Sequence, residues 1–74
     1  MNTVIKGTKT IQEYKDLKSR MEQEAAKCFE HHKAACEDWS HGEIAKVWFD
    51  GNNHICIEYE DGQYWHYNEI GEWF

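Results

Sequence analysis

The apolar residues of this chain change period once, near residue 40. Between Thr10 and Trp39 they recur at spacings of three and four (Tyr14, Leu17, Met21, Ala25, Cys28, His32, Ala35, Trp39). That spacing gathers side chains on one face of a helix. From Glu43 onward, runs rich in Val, Ile, Trp, Tyr and Phe alternate with polar residues, which is the period of a strand. A single switch from one period to the other predicts an α+β fold with segregated elements. With 74 residues, the chain is read as one domain, 1–74. A domain this small buries only about 60% of its unfolded surface, so its core is marginal.

The helix is expected over 10–39. Thr10-Ile11-Gln12-Glu13 is a capping box, in which the Thr hydroxyl takes the N3 amide. Ala, Glu, Lys, Gln, Leu and Met then dominate, and Gly42 is the expected C′ residue. Such a helix is about 45 Å long at 1.5 Å per residue, more than a three-stranded sheet covers. It therefore either breaks near His31-His32 or meets a second subunit. Tyr14, Met21, Cys28 and Ala35 suit heptad position a, but Leu17, Glu24, His31 and Asp38 do not make a position d, so a regular coiled coil is not expected.

Residues 43–74 read as a β-meander with strands Glu43–Asp50, His54–Glu60 and Gln63–Asn68. Val4-Ile5 could add a fourth strand at an edge. Asp61-Gly62 between alternating runs is a hairpin signal for a two-residue type I′ turn. That turn sets Tyr59 opposite Tyr64, Ile57 opposite His66 and Cys56 opposite Tyr67. Ile55, Ile57, Tyr59, Tyr64 and His66 then share the face toward the helix. Cys56, Glu58, Glu60, Trp65 and Tyr67 share the other. The expected architecture is one long helix packed on a three- or four-stranded antiparallel meander.

Charge is uneven. Residues 40–74 hold Lys46 against seven acids, and from Glu58 onward there are five acids and no Lys or Arg. The whole chain carries −6. That balance argues against direct nucleic-acid binding, which needs Lys and Arg to displace counterions, and against an anionic membrane surface. No stretch approaches the roughly 20 apolar residues of a membrane span. Met1 to Thr10 lack an apolar h-region, so no secretory signal is expected. Three cysteines without scaffold spacing fit free thiols in a reducing cytoplasm.

Cys28, His31, His32 and Cys36, with His41 beyond, are zinc-binding residue types. On a straight helix Cys28 and Cys36 lie about 12 Å apart along the axis. Cys28, His32 and Cys36 could then share one ion, as in a metal-dependent regulator, only with a helix break or a partner chain; otherwise they read as core-facing and half-exposed residues, and no cofactor is expected. Cys56 with His66 or His54 could pair a nucleophile with a base. In the register above His66 points away from Cys56, and no oxyanion-hole or orienting-group motif accompanies the pair. The chain is not expected to be an enzyme. The remaining candidate is an acid–aromatic surface of Glu58, Glu60, Asp61, Trp65, Tyr67, Glu69, Glu72 and Trp73. Spaced carboxylates mimic a run of phosphates and pair with Lys and Arg of a nucleic-acid-binding groove, while Trp and Tyr supply contact area.

The acid-rich hairpin Ile55-Cys56-Ile57-Glu58-Tyr59-Glu60-Asp61-Gly62-Gln63-Tyr64-Trp65 and its tail resemble, by type, small acidic phage and mobile-element inhibitors such as anti-CRISPR proteins. The resemblance implies a cytoplasmic protein-binding inhibitor whose partner presents a basic nucleic-acid-binding surface. The alternative is a small assembly protein that homodimerises through its helix.

Overall fold

A computed structural model describes residues 2–74. Its elements in chain order are β1 (Asn2–Thr3), α1 (Ile11–Ala35), β2 (Ile44–Phe49), β3 (Ile55–Tyr59) and β4 (Tyr64–Tyr67). The sheet has the order β1-β2-β3-β4, with one helix across it. The fold is α+β, and the sheet is mostly antiparallel.

The fourth strand is present at the edge, but it is Asn2–Thr3 and it runs parallel to β2. The β2–β3–β4 meander is antiparallel as expected; only the added edge strand differs. The helix carries the chain back across the sheet, and a strand joined through such a crossover returns parallel. The Val4 amide continues the pairing by donating to the Val47 carbonyl at 2.8 Å. Thr3 Oγ1 donates to Glu22 on the helix at 2.8 Å.

The helix starts where the capping residues place it, with the Glu13 amide donating to Thr10 Oγ1 at 3.1 Å. Glu13 reaches back one residue further than a capping box requires, accepting from the Lys9 amide at 2.9 Å. No break occurs at His31-His32. The helix ends earlier than expected, at Ala35, with Cys36 extended (φ −98, ψ 130). Ending there lets Trp39 fold back onto Phe29 and Tyr59, at centroid distances of 5.7 and 4.9 Å. The Trp39 indole N–H donates to the Gly42 carbonyl at 2.8 Å. A continued helix would carry Trp39 away from this packing. Gly42 is therefore not the helix cap. Its φ is +83, and a Cβ there would lie 3.0 Å from the Glu60 Cβ, so it admits a close approach of the β3–β4 turn.

The helix buries Met21, Ala25, Phe29 and His32, a stripe that begins only at Met21. Met21, Ala25 and Phe29 pack with Val47, Ile55, Ile57, Tyr59 and Tyr67 as one core. Between Ile11 and Arg20 only Leu17 is even partly covered, so the first turns overhang the sheet.

Three consecutive turns share one form. In each, residue n donates its N–H to the carbonyl of n+4, and the N–H of n+3 donates to the carbonyl of n: Asp50/His54, Tyr59/Gln63 and Asn68/Glu72. The n+3 residue is left-handed each time: Asn53 (φ 61), Gly62 (φ 88) and Gly71 (φ 85). This is the three-residue hairpin, a type I turn closed by a left-handed residue. The third turn folds residues 72–74 along β4, with Trp73 opposite Tyr67.

The three-residue loop corrects the expected register. The observed pairs are Cys56 with His66, Ile57 with Trp65 and Glu58 with Tyr64. A slip of one residue exchanges the two faces of a strand. Trp65 and Tyr67 therefore face the helix with Ile55 and Ile57, while Tyr64 and His66 lie on the open face with Cys56 and Glu58.

Candidate functional site

Strand alternation puts Asp50, His54, Cys56 and His66 on the face of the sheet that no helix covers. Asp50 directly follows β2, and its carboxylate is split between two tasks. Oδ1 accepts from the backbone N–H of Asn52 (2.8 Å) and of His54 (3.0 Å), which fixes the turn. Oδ2 is left to face the His66 Nδ1 at 2.7 Å and the His54 Nδ1 at 3.4 Å. Cys56 is fully buried, and its Sγ lies 3.2 Å from the same His66 Nδ1. Among the described residues, Asp50, Cys56 and His66 are the one group of three such donors that converge, with their atoms within 4.8 Å of one another. Phe74 closes one side, stacked on His66 at 5.5 Å and edge-on to His54 at 5.1 Å.

Burial raises the pKa of Asp50, but the N–H groups of His54 and Asn52 and the His66 ring outweigh it and bring it down to about 2. Burial, and then the Asp50 charge, push Cys56 up to about 11. The free thiol is thus protonated near neutral pH. A cysteine nucleophile needs its thiol on one imidazole nitrogen and the orienting carboxylate on the other. Here Sγ and Oδ2 approach the same nitrogen, so the arrangement converges on a point and is not a proton relay.

A second cluster lies under the helix. His32 Nδ1 is 2.8 Å from the Tyr67 hydroxyl, which is 2.7 Å from the Tyr59 hydroxyl. Trp73 stacks on His32 at 4.2 Å, and Trp65 and Trp39 meet it edge-on at 4.9 and 5.0 Å. Burial is the main cause that holds the His32 pKa below its ordinary value, with His41 and His31 adding to it. Burial also pushes Tyr59 up to about 12 and raises Tyr67. These groups form a neutral polar thread through an aromatic core, each with a partner.

The structure separates the expected acid–aromatic surface. Tyr67 is buried in the core, and Trp65 and Trp73 pack against it. Glu58 stays on the open sheet face. Glu60 and Asp61 form the β3–β4 turn, and both have internal partners: Glu60 Oε1 accepts from the Glu43 amide at 2.6 Å, and Asp61 meets His41 Nδ1 at 2.5 Å. That bond to His41 is the main reason the Asp61 carboxyl lies below its ordinary value. Glu69 and Glu72 are exposed in the last turn. Cys28, His32 and Cys36 are not brought together, and His32 is committed to Tyr67.

The expected register separated Cys56 from His66, and Asp50 was placed only at a strand end and turn, not among the candidate site residues. The usable signal was parity. Asp50, His54 and Cys56 are two or four apart on adjoining strand ends, and a three-residue loop places His66 beside Cys56.

No family model, curated protein or solved structure matches this chain. Among the described residues, no helix is long and apolar enough to cross a membrane.

Proposed function

We propose that the chain is a small acidic protein-binding module, a phage-type inhibitor similar to anti-CRISPR proteins. It acts in the cytoplasm by occupying a basic nucleic-acid-binding groove of a target protein. The observation that carries this reading is the uncovered sheet face. Trp48 and Tyr64 lie 5.9 Å apart on it, Tyr64 and Phe74 are 57% and 60% exposed, and Glu58 sits among them. No Lys or Arg follows Lys46 in the sequence. Lys46 Nζ lies over the Trp48 ring at 5.3 Å, the same contact that an Arg or Lys of a basic partner makes with an exposed aromatic.

Exposed aromatics within an acidic rim favour a cationic partner and steer its approach. The aromatic half of the surface is therefore Trp48, Tyr64 and Phe74 in place of Trp65, Tyr67 and Trp73. The acids remain Glu58, Glu60, Asp61, Glu69 and Glu72. Because Glu60 and Asp61 also hold the turn, the cleaner test reverses Glu58, Glu69 and Glu72 to Lys. Binding to proteins with nucleic-acid grooves, captured from the host and verified by competition with nucleic acid, is expected to be lost in that variant. Undiminished affinity would reject the reading.

A second reading, homodimerisation through the helix, is favoured by one observation. Ile11 and Tyr14 are 76% and 40% exposed on the overhanging first turns. Met21, which sequence periodicity put in the same seam, is in the core. The seam would therefore be confined to residues N-terminal to it. Sedimentation of wild type and Tyr14→Glu at micromolar concentration separates the two: a dimer converted to monomer supports assembly, and a wild-type monomer rejects it.

A further inference from the structure

We propose that Asp50 Oδ2, Cys56 Sγ and His66 Nδ1 form a Zn²⁺ site on the open face of the sheet, with the fourth coordination position toward His54.

Four observations carry this. The first is convergence. Ligand atoms around tetrahedral zinc lie about 3.3–3.6 Å apart, given metal bonds of about 2.0–2.3 Å. The two measured edges here are 2.7 and 3.2 Å, and all three donors fit within 4.8 Å. Outward shifts of a few tenths of an ångström bring these two short edges to tetrahedral length.

The second is the hydrogen-bond inventory. An ionised Asp50 only accepts, so the single Nδ1 proton of His66 goes to Oδ2. Cys56 Sγ and Asp50 Oδ2 then share that one proton, and the thiol itself has only a long contact, 3.8 Å, to the His54 carbonyl. A cation that replaces the thiol proton and the Nδ1 proton satisfies all three donors at once.

The third is an orphan. His54 Nδ1 is the one buried side-chain nitrogen or oxygen without a hydrogen-bond partner among the described residues. It sits 3.4 Å from Asp50 Oδ2, at the edge of the cluster.

The fourth is the support around the ligands. Oδ1 of Asp50 is held by two backbone N–H groups, and Phe74 packs on the His66 ring. Such outer contacts fix ligand orientation.

The donor set selects the metal: thiolate, imidazole and carboxylate together suit Zn²⁺ and disfavour Mg²⁺ or Ca²⁺. On binding, Cys56 loses its thiol proton to solvent and the single ring proton of His66 moves from Nδ1 to Nε2, so one proton is released per ion. No electron is transferred. The ion would join the β2–β3 turn, β3 and β4 in a domain whose core is small.

The test uses the full chain without a His tag. The protein is stripped with a chelator and then titrated with Zn²⁺ and with Co²⁺. Native mass spectrometry is expected to show one Zn²⁺ per chain, and Co²⁺ is expected to give a thiolate charge-transfer band. Cys56→Ser, His66→Gln and Asp50→Asn should each weaken binding at least tenfold, with folding followed by circular dichroism. Cys28→Ser/Cys36→Ser should bind as wild type. The wild-type titration decides the matter even if a variant does not fold. Absence of a stoichiometric, thiolate-ligated ion overturns the proposal, as does binding that survives Cys56→Ser and is lost in Cys28→Ser/Cys36→Ser.

Discussion

Cys56 stands directly opposite His66 in the β3–β4 pairing, with Sγ 3.2 Å from Nδ1. This relationship depends on one residue of loop length. A two-residue turn at Asp61-Gly62 would pair Cys56 with Tyr67 and send His66 to the helix side. The three-residue loop Glu60-Asp61-Gly62 does the reverse, and the Asp50–Cys56–His66 cluster exists because of it.

Gly62 is the residue that the loop requires. At φ +88 a side chain is strained, and Gly62→Ala should lower stability by about 1 kcal/mol in urea unfolding. Gly51 has no neighbour within 4 Å of a built Cβ and no positive φ. Gly51→Ala should be neutral or slightly stabilising, because it restricts the unfolded chain. Equal effects of the two substitutions would contradict the loop assignment.

The Tyr67 hydroxyl lies within hydrogen-bonding distance of both Tyr59 and His32 in a buried setting. Tyr67→Phe should cost about 1–3 kcal/mol, since it leaves polar groups under the helix unpaired. Denaturation with chelator present measures this apart from any metal. A change below a few tenths of a kcal/mol would mean that water replaces the hydroxyl.

Folding favours the neutral form of His32, because burial holds its pKa below the ordinary value. Below about pH 6.5 the unfolded chain takes up a proton at this residue before the folded one does. The contribution is therefore fully present above the unfolded pKa and is lost as pH falls from there through the lower folded pKa. Melting temperatures in chelator should drop between pH 7.5 and 5, and His32→Leu should flatten that slope. Asp50 and Asp61, whose folded pKa values are lowered, act in a separate window below about pH 4. A wild-type melting temperature that stays level or rises on acidification to pH 5 would contradict the assignment.

The two sides of the sheet should respond differently to loss of an aromatic. Trp65→Ala removes packing from the core and should cost about 3 kcal/mol of stability. Trp48→Ala and Tyr64→Ala, on the open face, should leave the melting temperature nearly unchanged and weaken partner binding. Destabilisation of similar size on both faces would mean that the open face is structural.

The types of element were legible because they depend on neighbours in sequence. Thr10 caps the helix through local hydrogen bonds, and all three strands of the second half lie within their expected limits. The stripe Met21-Ala25-His32 was read from its spacing, though Phe29, which shares the core, was not. The candidate site was much less legible. Asp50 looked like a turn residue, which it also is, and nothing local reports that its second oxygen faces His66.

What the sequence alone determined is the change of period, and with it one helix followed by a sheet. What only the tertiary structure decided is parity and direction. Asp-Gly is compatible with either hairpin loop. The longer one sets Trp65 and Tyr67 against the helix and lets the turn bond to the segment before β2, where the Glu60 and Asp61 amides donate to the Glu43 and His41 carbonyls at 3.1 and 3.3 Å. Those partners are nearly twenty residues away, so no local pattern encodes them. The parallel edge strand and the early helix end have the same origin. Each is set by where a distant residue must be buried, and burial is a property of the assembled chain.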